Sequence, residues 1–398
     1  MPLTFTRQVT PSDKAWNKCA WSPALGLFVA VAGDAGTTSV MTSPNGITWT
    51  LRTHPSSSNW IGIAWSPQLN LFVAIANGLT STHVMTSPDG IAWTLRTTPL
   101  DTGWIAVEWS PELGLFAAVS SNTVGGDAVM TSPDGIAWTV RTTPVLSGWV
   151  DIAWSSSLGL FVAVSNNTAS NQIMTSPNGI AWTLRAAAAA NTWNAIAWSA
   201  TLGLFAAVSS TGGTNRVMTS PDGIIWTSRT TVGAVTWLAI TYSAEWEMFV
   251  AVADGVSSDG GNLIMTSSNG LTWATQAAPG EYSTHWSGIV ASPALRILIG
   301  IAGFDSFGLA TGDLVMASNA APVSTPTSER HYDDQIMLGL FTAETAYDTP
   351  LPTWSTATAC SMRDFDDASP HETWDDVVED DDLLVHQAEY ATVQEIVR

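Results

Sequence analysis

Three charged side chains, Lys18, Glu108 and Asp151, sit where other copies of a repeated pattern carry Ala, Gly, Thr or Val. A lysine and two carboxylates around one axis could exchange protons or form an ion pair. A glycoside hydrolase needs two carboxylates flanking the scissile bond, and these positions supply no such matched pair. Five recurring arginines, Arg52, Arg96, Arg141, Arg185 and Arg229, could clamp a carboxylate only if they converged. They hold one equivalent place in successive repeats, which predicts solvent-facing side chains on an outer strand that discourage sheet-to-sheet pairing. His54, His83, His285, His331, His371 and His386 have no metal-ligand spacing. No Ser/His/Asp order or phosphate-cradling glycine loop is present. The expectation is an ion pair in a channel, no catalysis, no cofactor and no metal.

A second set of polar residues recurs more strictly. Asn45, Asp89, Asp134, Asn178, Asp222 and Asn269 each precede a glycine: Gly46, Gly90, Gly135, Gly179, Gly223 and Gly270. Asp and Asn exchange freely here, so the shared property is a side-chain acceptor, not a charge. A general acid or metal ligand would not tolerate that exchange. Ser first, Pro second and Gly fourth, as in Ser87-Pro88-Asp89-Gly90, predict a type I turn with Gly left-handed, joining two strands.

These residues are carried by a repeat. Trp16, Trp60, Trp104, Trp149, Trp193, Trp237 and Trp286 open blocks spaced 44, 44, 45, 44, 44 and 49 residues apart. A period of this size means one supersecondary unit used repeatedly. In the second block, Trp60–Trp65, Leu71–Ala76, Val84–Thr86 and Ile91–Arg96 are apolar runs bounded by Gly, Pro, Ser or Asn. Each is of strand length and too short for a helix. Continuous apolar runs suit strands covered on both faces. Four such strands per period predict a propeller blade.

The pattern S-P-[DN]-G-I-x-W-T between the third and fourth strands resembles the Asp-box (BNR) propellers, which include sialidases, sortilin-type receptors and phage and bacterial repeat proteins. The usual box, S-x-D-x-G-x-T-W, has one more residue between Asp and Gly. The resemblance covers residues 3–318 and implies the fold; Asp boxes lie on the face opposite the sialidase active site, so it implies no activity here. The low-lysine, Trp- and Thr-rich style also resembles phage virion proteins.

The seventh block stops after Leu314–Ser318 without its turn and fourth strand. The chain start supplies them: Leu3–Pro11 aligns with Ile47–Pro55, and Phe5 precedes Trp49 by one period. The expectation is an all-β, seven-bladed β-propeller over 1–318, closed by the N-terminal strand, with an acidic C-terminal extension. Strand alternation puts the short, uniform turns on one face. The loops of varied length, such as Ser121–Asp127 and Gly303–Asp313, fall on the other, where a scaffold usually carries binding. The third place of the innermost strand (Lys18, Gly62, Ala106, Asp151, Ala195, Ala239, Gly288) and the fifth (Ala20, Ala64, Glu108, Ala153, Ala197, Thr241, Val290) are expected to face the channel. Cys19 takes a core place held elsewhere by Ile or Val.

The net charge is −21, with 34 acidic and 13 basic residues. Nucleic-acid binding is not expected, for want of a basic patch. No apolar run approaches the roughly 20 residues of a membrane span, and Met1 leads straight into a strand with no signal peptide. Two cysteines make no disulfide framework. Residues 319–398 hold 17 acids and three bases, and so 14 of the 21 net negative charges. Residues 319–330 read as a Pro/Ser/Thr linker. Residues 331–398 read as an attachment segment ending in an amphipathic helix whose stripe includes Leu383, Leu384, Tyr390, Val393 and Val397.

These features predict a non-enzymatic structural or adhesion protein of a tailed-phage-like virion, made in the host cytoplasm. Its partners would be other structural proteins held through 331–398, with a host glycan or protein on the variable loops. The alternatives are a carbohydrate-binding lectin, for which Tyr282, Phe304 and Phe307 are the loop aromatics, and a glycoside hydrolase.

Overall fold

A computed structural model describes residues 2–322, apart from 35, 79–81, 122–126, 146, 168–171, 232, 234, 255–262, 280–283 and 304–313. The tail beyond, including Leu383, Leu384, Tyr390, Val393 and Val397, lies outside the described residues. So do Tyr282, Phe304, Phe307 and most of the variable loops named above.

Seven four-stranded antiparallel sheets make seven blades. Blade one runs Trp16–Ser22, Leu27–Ala32, Val40–Ser43 and Thr50–Arg52 from the axis outwards. Blade two runs Asn59–Ser66, Leu71–Asn77, Val84–Ser87 and Thr94–Arg96. The outer strand is shorter than its apolar pattern suggests, because Ile91 and Ala92 give their N–H groups to Asp89 in the turn and not to a strand partner. The second and third strands are buried at nearly every residue, as continuous apolar runs require.

Blade seven takes its fourth strand from the chain start. Phe5–Gln8 pairs with Val315–Ser318 in the register Phe5↔Ser318 to Gln8↔Val315. The clasp continues past the strand: Asn319 N–H donates to Thr4 O at 2.9 Å, and Thr4 N–H to Asn319 Oδ1 at 2.8 Å. Asn319–Pro322, the start of the stretch read as a linker, then runs against blade seven. Arg296 Nε–H donates to Ala321 O at 3.1 Å, and the guanidinium also reaches Pro322 O.

The core lies between blades. All seven opening tryptophans are fully buried, as is the phenylalanine of the second strand in Phe28, Phe72, Phe116, Phe161 and Phe205. An inner-strand Trp and the box Trp flank that Phe, as in Trp21–Phe28 at 4.5 Å and Phe28–Trp49 at 6.3 Å. Each fully buried Phe contributes about 1.5–3 kcal/mol relative to exposure. This burial, repeated around the ring, replaces one central core.

Candidate functional site

The innermost strands surround a cavity of about 300 Å³ on the axis. Each of these strands has a bulge just after its opening Trp, in all seven blades. The bulge turns the extra residue sideways to the next blade. Asn17 Nδ2 donates to Trp60 O at 2.9 Å, and Asn194 Nδ2 to Trp237 O at 2.8 Å. Ser287 Oγ donates to Trp16 O and so joins blade seven to blade one.

The structure brings Lys18, Glu108 and Asp151 into this cavity. Lys18 Nζ lies 3.4 Å from Asp151 Oδ1. Blades one and four are as far apart as a ring of seven allows, so this pair crosses the lumen. Asp151 Oδ2 accepts Ile196 N–H from blade five at 3.0 Å. Both Asp151 oxygens therefore tie blades together. Glu108 accepts no hydrogen bond from the described residues. It keeps some accessible surface toward the lumen, yet protein encloses it. Burial pushes its carboxyl up to about 8, Asp151 adds repulsion, and Lys18 partly offsets both.

One reading of the lining needs correction. The fourth place of the inner strand also lines the cavity: Cys19, Ile63, Val107, Ile152, Ile196, Ile240 and Ile289 form a belt there. In a blade standing edge-on to the axis, both alternations of the inner strand border the lumen. Cys19 is thus a thiol in an aliphatic belt, and burial pushes its pKa up. The third place is tuned by volume. Gly62 pairs with Ile75 and Gly288 with Ile301, while Lys, Ala or Asp pairs with Val in the other blades. A Cβ on Gly62 would stand 2.8 Å from Ile75 Cγ1 and 2.9 Å from Ile105 O.

The arginines also differ from expectation. Arg52, Arg96, Arg141, Arg185 and Arg229 are half-buried, not solvent-facing. Each donates Nε–H to a third-strand threonine of its own blade at 2.8–3.1 Å, as Arg52 does to Thr42. A long apolar stem lying across the sheet buries more surface than one held in solvent. The five remain apart from one another, one per blade.

The turn acceptors are spent on backbone. Asp89 Oδ1 accepts N–H from Ile91 and Ala92 at 2.8 Å and the Ser87 hydroxyl at 2.9 Å. Asn45 Oδ1 makes the same bonds to Ile47 and Thr48. Slight burial raises the pKa of Asp89, Asp134 and Asp222, but these hydrogen bonds outweigh it and hold each below its ordinary value. The six turn glycines have φ between 70° and 73°. Gly90 also abuts blade one: an added Cβ would lie 2.8 Å from Val29 Cγ2.

The turn face has a property that the reading of it as plain structure missed. Leu25, Leu69, Leu113 and Leu158, from the first turn of a blade, are 39–43% exposed. Ile47, Ile91, Ile136, Ile180, Ile224, Ile225 and Leu271, from the second turn, are 45–70% exposed. Among the described residues the only other exposed large hydrophobic is Val9. The sequence signal was present: an aliphatic residue follows the turn Gly in every box.

On the loop face, burial lowers the pKa of His54 and His83. His54 Nε2 accepts Ser39 N–H at 2.9 Å, so it supports a loop as a neutral ring. His285 Nδ1 lies 3.2 Å from Asp254 Oδ1, between blades six and seven. Among the described residues, no group of three or more His, Cys, Asp or Glu could hold a metal ion, and no helix is long and apolar enough to cross a membrane.

No family model matches the chain, and no curated protein matches it. Solved structures similar to it are propellers. A virginiamycin B lyase from Staphylococcus aureus has 14% identity and a TM-score of 0.63, over 80% of this chain and 99% of that one. YCF48 bound to D1 peptide has 14% identity and a TM-score of 0.57, over 81% and 96%. A chain of the mitotic checkpoint complex has 14% identity and a TM-score of 0.56, over 80% and 91%. At this identity the likeness shows the fold: a seven-bladed β-propeller.

Proposed function

We propose that the chain is a non-enzymatic scaffold that binds other proteins, a structural or adhesion component of a tailed-phage-like virion. Residues 331–398 are its attachment segment. One observation carries the scaffold reading: the recurring charged groups are occupied within their own turns and blades, Lys18 and Asp151 join blades across the lumen, and Glu108 is the one cavity carboxyl left over among the described residues. Turn carboxylates take backbone N–H groups, the arginines take threonine hydroxyls, and Lys18 and Asp151 take each other across the lumen. A propeller with a D1 peptide bound, and another inside a checkpoint complex, show that this fold serves protein association in other chains. The acidic tail and the phage-like composition support the virion reading.

Removal of residues 331–398 tests it. The expected product is a soluble propeller, absent from purified particles that contain the full chain when analysed by mass spectrometry. Incorporation of the truncated chain at full level overturns the attachment role. Turnover of a sialoside or polysaccharide that Glu108→Gln abolishes overturns the non-enzymatic reading.

A further inference from the structure

We infer that the turn face, not only the variable loops, is a docking surface, and that its partner is a protein surface of aliphatic side chains flanked by lysine or arginine. The inference rests on the scaffold reading above and names the face it uses. Soluble monomers rarely gather exposed aliphatics in one place. Here eleven of the twelve exposed large hydrophobics among the described residues lie on one face, repeated blade by blade, with Ile91, Ile136 and Ile180 in adjacent blades. Nothing in the turn requires them: their backbone N–H groups bond the Asx side chain whatever the side chain is.

Charge selects the occupant. The turns of this face carry Asp89, Asp134, Asp222, Glu112, Glu245 and Glu247. Their one basic residue, Arg296, is engaged with Ala321 O and Pro322 O. The same two contacts hold Ala321 and Pro322 on this face, and the sequence from 319 to 398 carries 14 net negative charges. A second copy would bring acid against acid, and the chain's own tail would do the same. A basic, aliphatic surface answers both properties, and charge complementarity would speed its approach at low salt.

The test uses the full chain and an amphipathic helical peptide of leucine and lysine, with a leucine–glutamate peptide as control. The expected result is binding of the basic peptide alone, with carbene footprinting protecting Ile91, Ile136 and Ile180. The variant I91S/I136S/I180S, altered only at exposed positions and checked for unchanged melting, should bind at least about tenfold more weakly. Equal binding by the variant, a footprint confined to the loop face, or no binding overturns the inference. So does a free chain whose turn face is already protected and becomes exposed on removal of 331–398, or a dimer that the variant abolishes. Loss of particle incorporation on tail removal, with a negative peptide result, leaves the scaffold reading standing and removes this one.

Discussion

At the scale of single residues, the turn separates what an acceptor does from what a charge does. Asp89→Asn keeps Oδ1 and should change stability by less than about 0.5 kcal/mol. Gly90→Val forces a β-branched residue to φ 71° and drives a Cβ toward Val29, and should cost about 3 kcal/mol or more. Denaturant midpoints of the two variants check this; equal values would remove the turn assignment. A second expectation concerns buried indoles. Trp109 Nε1–H donates to Gln68 Oε1 at 2.7 Å and Trp154 Nε1–H to Glu112 Oε2 at 2.6 Å. The corresponding turn residue before Trp65 is Ala24, and Trp65 Nε1 is buried with no hydrogen-bond partner among the described residues. Ala24→Gln should supply the acceptor and raise stability by about 1 kcal/mol. No change in melting, with Trp65 fluorescence unshifted, would show that the indole is already satisfied. The acceptor role was legible because Asp and Asn alternate. The missing indole partner was not, because it depends on a residue 41 positions away meeting it across blades.

At the scale of elements, the strands were readable because Trp, Phe and Met recur at one place in each. The closing strand was readable by its register of one period. Deleting residues 1–11 removes Phe5–Gln8 and leaves Val315–Ser318 with an open edge. Aggregation or a fall of several degrees in Tm is expected by scanning calorimetry, and melting like the intact chain would show that closure does not rest on this strand. The inner-strand bulge and the half-buried arginines, each bonded to its own blade, were not readable. Both depend on how a neighbouring strand or blade is placed, which apolar periodicity alone does not report. The same holds for the channel lining: alternation predicts two sides of a strand, but not that both border one lumen.

At the scale of the whole molecule, Glu108 is the carboxyl that burial raises above its ordinary pKa among the described residues. Glu108 is raised from 4.5 to about 8 by burial and by Asp151. The folded chain therefore keeps a proton that the unfolded chain releases above about pH 4.5. Its contribution is full below that value and declines as pH rises toward about 8. Thermal melting across this window should show a decline that Glu108→Gln flattens. An identical slope in the variant would show that other groups set it. The acidity of the chain was plain from composition. The aliphatic turn face was written in the box, yet it became visible only when every box was placed on one side of the ring.

The clasp between chain start and blade seven also has a mechanical sense. Phe5 lies opposite Ser318 and Gln8 opposite Val315, so Thr4 and Asn319 are at the same end of the antiparallel pair. Tension applied between those two points peels the hydrogen bonds open one after another, whereas a pull along the strands would load them together in shear. A propeller tethered through Pro322 and tugged through its first residues should therefore open at low force. The same tether with load on a variable loop should spare the clasp, and single-molecule stretching from the two pairs of points would separate these cases.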